Sequence, residues 1–304
     1  MMYEDSFNVN NAVSGVLVVD KPVGLTSHDV VQIIRRGTNL RRVGHTGTLD
    51  PRASGVLVVL LGPAVRLSEY VSASDKRYQA VIRLGQSTDT YDAEGRITGG
   101  SSPLDISEEL FENELKTFIG EIEQVPPPYS AIKVQGKKAY DMARDGEEFE
   151  LAPRTIHVYN LDLLEWAPPE VVIDVYCSSG TYIRSLAHDL GERLGCGAHL
   201  VGLRRTKNGR FTLRDAVPLR KLRDAFESGT WYQYIIPSAE ALSDWPALEL
   251  TTEQVEAVRH GIRIQSPALQ STWARGINDQ GELVALLEFD PATDEWQPKK
   301  VFFS

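Results

Sequence analysis

The chain is predicted to adopt an α+β fold, a larger mixed domain followed by a small β-rich unit. Three observations lead there. Apolar runs and amphipathic stretches are interspersed without the regular strand–helix alternation of a doubly wound sheet. Short apolar segments crowd together after a break at Ser238–Pro246. The 304 residues suit two domains, or one large domain with an appendage. A chain of that length buries up to about 75% of its unfolded surface, so neither disulfides nor metals are needed for a core.

Taken in order, Gly15–Asp20 (GVLVVD) is an unbroken apolar run and reads as a buried strand, closed by the turn Lys21-Pro22-Val23-Gly24. Thr26-Ser27-His28-Asp29 has capping-box spacing and opens an amphipathic helix through Val30, Val31, Ile33 and Ile34. The Gly/Thr-rich loop Gly44–Gly55 leads into a second buried strand, Val56–Leu61. Tyr78–Leu84 alternates as a strand, and Thr88–Gly95 is a polar connection. Ser107–Phe118 predicts a helix, with Ser107 as N-cap and Glu108 and Glu109 at the positive end of its dipole. Pro126-Pro127-Pro128 imposes extended backbone, and Lys138–Arg144 reads as a further helix. Thr155–Trp166 and Val171–Cys177 are strands separated by Pro168-Pro169. Tyr182–Leu194 spaces its apolar residues for one helical face and stops at Gly195. Beyond the break, Leu248–Gly261 reads as a helix, followed by short strands at Ile262–Ile264, Ala274–Ile277, Glu282–Phe289 and Lys300–Phe303. No internal repeat is visible.

A net charge of −10, taken alone, argues against a nucleic-acid partner. A global sum hides where charges lie, and phosphate contacts depend on local potential. Basic residues collect in Arg35–Arg52 and again in Arg204–Arg223, each run containing a single acidic residue. If folding brings both runs to one face, an acidic protein presents a basic groove. Cys177 and Cys196 form neither a disulfide framework nor a metal motif and read as two thiols in a reducing cytosol. Met1–Ala12 lacks the pattern of a signal peptide, and no apolar run approaches the ~18 residues of a membrane span. A cytoplasmic, monomeric protein with no membrane association is expected, with residues 1–13 as a flexible tail.

The loop Gly44-His45-Thr46-Gly47-Thr48-Leu49-Asp50-Pro51 joins a basic stretch to a buried strand. Its glycines permit close backbone approach to a ligand, and the proline after Asp50 keeps that residue extended. An aspartate so placed suits a nucleophile, a general base, a metal ligand or a plain turn former; by residue type alone the turn is favoured.

The segments around it decide otherwise. The blocks GVLVVDKPVGLTSHD, GHTGTLDPRASGVL, SDKRYQAVIRLGQSTDTYDAEG, PPPYSAIKVQGKKAYDMAR and CSSGTYIRSLAHDLGERLGCGAHLVGLRR occur in order over Gly15–Arg205. In these the sequence resembles the TruB family of tRNA pseudouridine synthases. The resemblance implies a catalytic domain over residues 14–237, a large mixed and mainly antiparallel sheet flanked by helices. It also implies a PUA-like RNA-binding domain over residues 246–304, on a weaker match. The implied activity converts a uridine of the tRNA T loop (position 55, at the elbow) to pseudouridine: the base is flipped out, cut from the ribose, rotated and rejoined through C5. No cofactor or metal is implied.

By the same resemblance Asp50 is the catalytic carboxylate, acting either as covalent nucleophile or by removing the C2′ proton. Arg184 is its charge partner, a bidentate guanidinium that keeps the carboxylate ionised. Tyr78 stacks on the uracil. His45 fills the space the flipped base leaves, Lys21 and Pro22 lie close to the site, and Tyr182 and Leu203 line the uracil pocket. Asp92 matches a further family aspartate; its segment lacks the spacing of a calcium loop. Arg42, Arg204 and Arg205 are candidates for the RNA backbone. Two other classes fit less well, a tRNA-binding folding factor and a carboxylate glycosidase. The first has no need of Asp50, Tyr78 and Arg184 together, and the second pairs two carboxylates where this loop has one.

Overall fold

A computed structural model describes residues 13–103, 106–130, 132–134, 136–147 and 149–302. The tail expected over residues 1–13 therefore lies, but for its last residue, outside the described residues.

The unbroken apolar run at the start forms strand β1 (Gly15–Lys21), with Val16, Leu17, Val18 and Val19 all buried. Helix α1 (Ser27–Thr38) begins as its capping box dictates: the Thr26 hydroxyl accepts the Asp29 N–H, and the Asp29 carboxylate accepts the Thr26 N–H in return. It stops at Asn39, whose φ of 55° is the left-handed conformation that asparagine tolerates at a helix end. Strands β2 (Val43–Thr46) and β3 (Ala53–Leu61) flank the catalytic-loop candidate, and β4 (Lys76–Leu84) alternates buried and open positions as read from sequence. Helix α2 (Glu108–Lys116) has Ser107 as its N-cap, accepting the Leu110 N–H. Then come β5 (Gly120–Gln124), α3 (Ala139–Arg144), β6 (Arg154–Ala167), β7 (Glu170–Cys177), α4 (Ile183–Arg193) and β8 (Ala198–Asn208). The chain closes with β9 (Val217–Pro218), α5 (Leu219–Glu227), β10 (Ile236–Pro237), β11 (Ala247–Glu249), α6 (Thr252–Arg259), β12 (Trp273–Ile277), β13 (Leu283–Asp290) and β14 (Glu295–Val301).

The α+β class holds, with mixed and mainly antiparallel strand pairing flanked by helices and a small β-rich C-terminal part. The described chain resolves into two compact units. The first takes the residues up to Pro51, Gly55–Ser72 and those from Arg210 onward. In it β1 pairs antiparallel with β3 from Gly15↔Leu61 to Lys21↔Gly55 and parallel with β9, while β2 lies on β3. Its core joins Val16, Val18, Val56, Val58 and Leu60 to Leu283, Leu286 and Phe302. The C-terminal sheet runs in the order β11-β12-β13-β14, packed around the fully buried Trp296. The second unit takes Arg52–Ser54 and Ala73–Gly209, with the antiparallel order β8-β4-β7-β6-β5. Helix α4 buries Ile183, Leu186, Ala187 and Leu190.

Three expectations need correction. The helix read over Leu248–Gly261 is strand β11 followed by α6, because Thr251 is an N-cap with Gln254 completing its capping box and the helix cannot start earlier. Ile262–Ile264 is no strand; only Ile264 bridges to Trp296. The last strand begins at Glu295 rather than Lys300. Among the described residues no helix is long and apolar enough to cross a membrane.

Candidate active site

In the first unit the loop carrying Asp50 is held from the turn between β1 and α1. Lys21 is fully buried at the end of β1, yet its ammonium is solvated by backbone: Nζ donates to the carbonyls of Pro22 (2.9 Å), Leu25 (2.6 Å) and Pro51 (3.4 Å). A buried charge is tolerable only with such partners. Gly24, at a φ of 88° that disfavours a side chain, donates its N–H to the same Pro51 carbonyl at 2.7 Å. On the other side of Asp50, the buried Ser27 hydroxyl donates to the Leu49 carbonyl (2.9 Å) and accepts the Leu49 N–H (2.8 Å). Both neighbours of Asp50 are thus tied to one short segment. Asp50 itself is half-buried, Pro22 is exposed at the turn, and His45 is half-buried on β2 opposite Val59. Arg42 is exposed just before β2.

In the second unit, Tyr78 sits on β4, 7% exposed, opposite Val175 on one side and Arg205 on the other. Leu203 faces Ala80, two residues along β4, so it shares the face of Tyr78. Arg184 lies in the first turn of α4 and is buried. Its Nη1 donates to Asp92 Oδ2 (3.3 Å) and the Thr90 carbonyl (3.5 Å), and its Nη2 to the Tyr129 carbonyl (3.1 Å). Asp92 also accepts from Thr90 Oγ1 (2.6 Å) and the Glu94 N–H (3.0 Å), so the structure brings these two site residues into one network. Tyr182 is the N-cap of α4, with the Arg154 guanidinium 5.5 Å from its ring centre.

Two arginines expected on the RNA backbone part company. Arg204 is half-buried, Nη1 donating to Ser54 Oγ at 3.5 Å. Arg205 is only 1% exposed, which does not suit a surface phosphate contact: strand alternation turns it to the face shared with Tyr78 and Lys76. Burial, together with the Arg205 charge, lowers the Lys76 pKa to about 8. Both cysteines are buried free thiols, and burial raises Cys177 to about 12.

Sequence reasoning missed two residues that shape the site. From sequence, Ser27 reads only as part of a helix start. Gln124, 1% exposed at the end of β5, accepts the Tyr182 N–H at Oε1 (2.8 Å) and donates from Nε2 to the Tyr182 carbonyl (3.0 Å). Nothing local marks either residue, since each acts on backbone more than 20 positions away.

The fold and this residue set place the chain in a class. The model for the TruB family pseudouridylate synthase N-terminal domain matches residues 35–183, and that for the tRNA pseudouridylate synthase B C-terminal domain matches residues 184–243. The class is that of RNA-modifying isomerases. Within it, the chain is 45% identical to tRNA pseudouridine synthase B of Corynebacterium aurimucosum over 90% of this chain and 92% of that protein. It is 40% identical to the protein of the same name from Dehalococcoides mccartyi (strain BAV1) over 95% of this chain and 96% of that one. A solved structure described as a Cbf5-Nop10-Gar1 complex superposes with a TM-score of 0.75 at 30% identity, covering 95% of this chain and 85% of that chain. The chain belongs to the TruB family of pseudouridine synthases.

Proposed function

We propose that this enzyme isomerises the uridine at position 55, in the T loop of tRNA, to pseudouridine, with Asp50 as the essential carboxylate. The observation that supports this best is the bracketing of Asp50: Ser27 on Leu49, and Gly24 with Lys21 on the Pro51 carbonyl, hold the residues on either side of it. A carboxylate that must meet C1′, C2′ or C6 of a flipped nucleotide gains from such preorganisation. A mere turn former needs no clamp on both neighbours.

In the reaction the N1–C1′ bond breaks and a C5–C1′ bond forms. C5 loses its proton and N1 gains one, so no oxidant, metal or co-substrate enters. Asp50 attacks covalently or takes the C2′ proton; both need it ionised, and Arg184 is the family's charge partner for it. Tyr78 supplies an aromatic face for the base, worth about 1–3 kcal/mol per stacked base. Leu203 and Tyr182 line the pocket, His45 fills the gap in the T arm, and Arg42 and Arg204 meet phosphates. The test is tritium release from 5-tritiated uridine in a T-arm stem-loop. Wild type should release tritium at position 55. Asp50→Asn should release none while binding the RNA with nearly unchanged affinity; measurable turnover by that variant rules Asp50 out.

A further inference from the structure

We infer that Ser27 is a positioning residue for Asp50, acting through the backbone of Leu49. This rests on Asp50 being the catalytic carboxylate and goes beyond it by naming what aims that carboxylate.

A serine hydroxyl has one proton and can accept at its lone pairs. At Ser27 both capacities go to a single residue: the proton to the Leu49 carbonyl at 2.9 Å, a lone pair to the Leu49 N–H at 2.8 Å. Spanning the N–H and C=O of one residue restrains its φ and ψ together. The Leu49 carbonyl also belongs to the peptide plane that carries the Asp50 nitrogen. Holding that plane fixes the Asp50 N–Cα bond, the axis about which the Cα–Cβ bond can turn.

The setting makes the restraint stiff. Ser27 is 2% exposed and Leu49 3% exposed, so water does not compete for either bond. Ser27 is the first residue of α1, and the capping of that helix is performed by Thr26 and Asp29. Its hydroxyl is therefore not used by its own helix and is spent 22 residues away. The far side of Asp50 is closed separately, by Gly24 and Lys21 on the Pro51 carbonyl. Removing the Ser27 hydroxyl frees one side of Asp50 and leaves the other held. The carboxylate would then sample directions it does not now take, and a misplacement of about 1 Å costs on the order of a hundredfold in rate.

The experiment compares single-turnover rate and RNA affinity on the T-arm stem-loop for Ser27→Ala, Ser27→Thr and Ser27→Val, beside wild type and Asp50→Asn. Ser27→Ala should slow the chemical step about 10- to 100-fold, with KM for RNA within about threefold of wild type. Thr and Val have the same shape and differ in the hydroxyl, so Ser27→Thr should recover most of the rate that Ser27→Val loses. Circular dichroism at the assay temperature normalises each rate to folded protein. An active wild type with an inactive Asp50→Asn, but equal rates for Ser27→Thr and Ser27→Val, overturns the positioning role alone. The same result follows if Ser27→Ala raises KM and leaves the rate constant unchanged. If Asp50→Asn turns over, it is the reading of Asp50 that fails.

Discussion

Replacing Gln124 by methionine tests how the second unit holds the start of α4. The two side chains are of similar length, so the change removes the amide while keeping most of the volume at a position that is 1% exposed. Two hydrogen bonds go, at 2.8 and 3.0 Å, both to Tyr182. Each is worth about 0.5–1.5 kcal/mol net, and loss of the partner of the Tyr182 N–H adds to that while its carbonyl keeps the Leu186 N–H, so a loss of about 2–3 kcal/mol is expected. In hydrogen exchange, about 2 kcal/mol corresponds to a roughly 30-fold faster exchange of the Tyr182 amide if that opening is local. Urea unfolding measures the global share. Turnover should fall as well, since Tyr182 caps the helix on which Arg184 occupies the first turn. Gln124→Glu sharpens the test. Its carboxylate accepts the Tyr182 N–H but faces the Tyr182 carbonyl, and only the protonated acid can donate there. Burial and that carbonyl raise the folded-state pKa of the introduced acid, so its stability deficit should be smallest in acid and grow as pH rises toward that pKa. A methionine variant within about 0.5 kcal/mol of wild type, with unchanged amide exchange and turnover, refutes the reasoning.

Two further predictions concern charge. Arg42→Ala with Arg204→Ala should weaken RNA binding and lower the slope of log affinity against log salt by about 1 for each phosphate no longer neutralised; an unchanged slope removes both from the interface. Lys76, with its pKa lowered from 10.5 to about 8 by burial and then by the Arg205 charge, holds its proton less well folded than unfolded. Its contribution to stability is therefore complete above about 10.5 and is lost as pH falls toward 8. The Cys177 thiol, raised from 9.0 to about 12, works in the opposite sense, losing stability as pH rises from about 9. Between about pH 8 and 9 the lysine acts alone of the two, so stability measured by urea unfolding should climb there in wild type and climb less in Lys76→Met. Parallel curves would show that Lys76 titrates normally.

Local pattern carried much of the fold. The apolar run at β1, the alternation of β4, the Ser107 cap and the Thr26/Asp29 capping box need only neighbouring residues, and each is present where expected. Strand β8 escapes a reading by pattern because Leu203-Arg204-Arg205 puts charged residues inside a strand, and α5 begins within a run that stands out only for its charge. In the C-terminal part Leu248 and Leu250 are equally compatible with a helix face and a strand; burial around Trp296 and the cap at Thr251 chose the strand.

By itself the sequence determined the family, through five ordered blocks, and with it the identity of Asp50, Tyr78 and Arg184 as the residues to examine. It determined too that Asp50 stands in a short loop before a buried strand. Only the tertiary structure decided what holds that loop in the first unit and what holds the site residues of the second. Ser27 and Leu49, Lys21 and Pro51, Gln124 and Tyr182, Arg184 and Asp92 are paired across 22 to 92 positions of chain. It also separated Arg204 from Arg205, adjacent in sequence and identical in chemistry, leaving one half-buried and the other buried. The physical reason is the same in each case: a hydrogen bond or a burial depends on what the fold brings alongside a residue, and a residue's type and its neighbours in the chain do not contain that information.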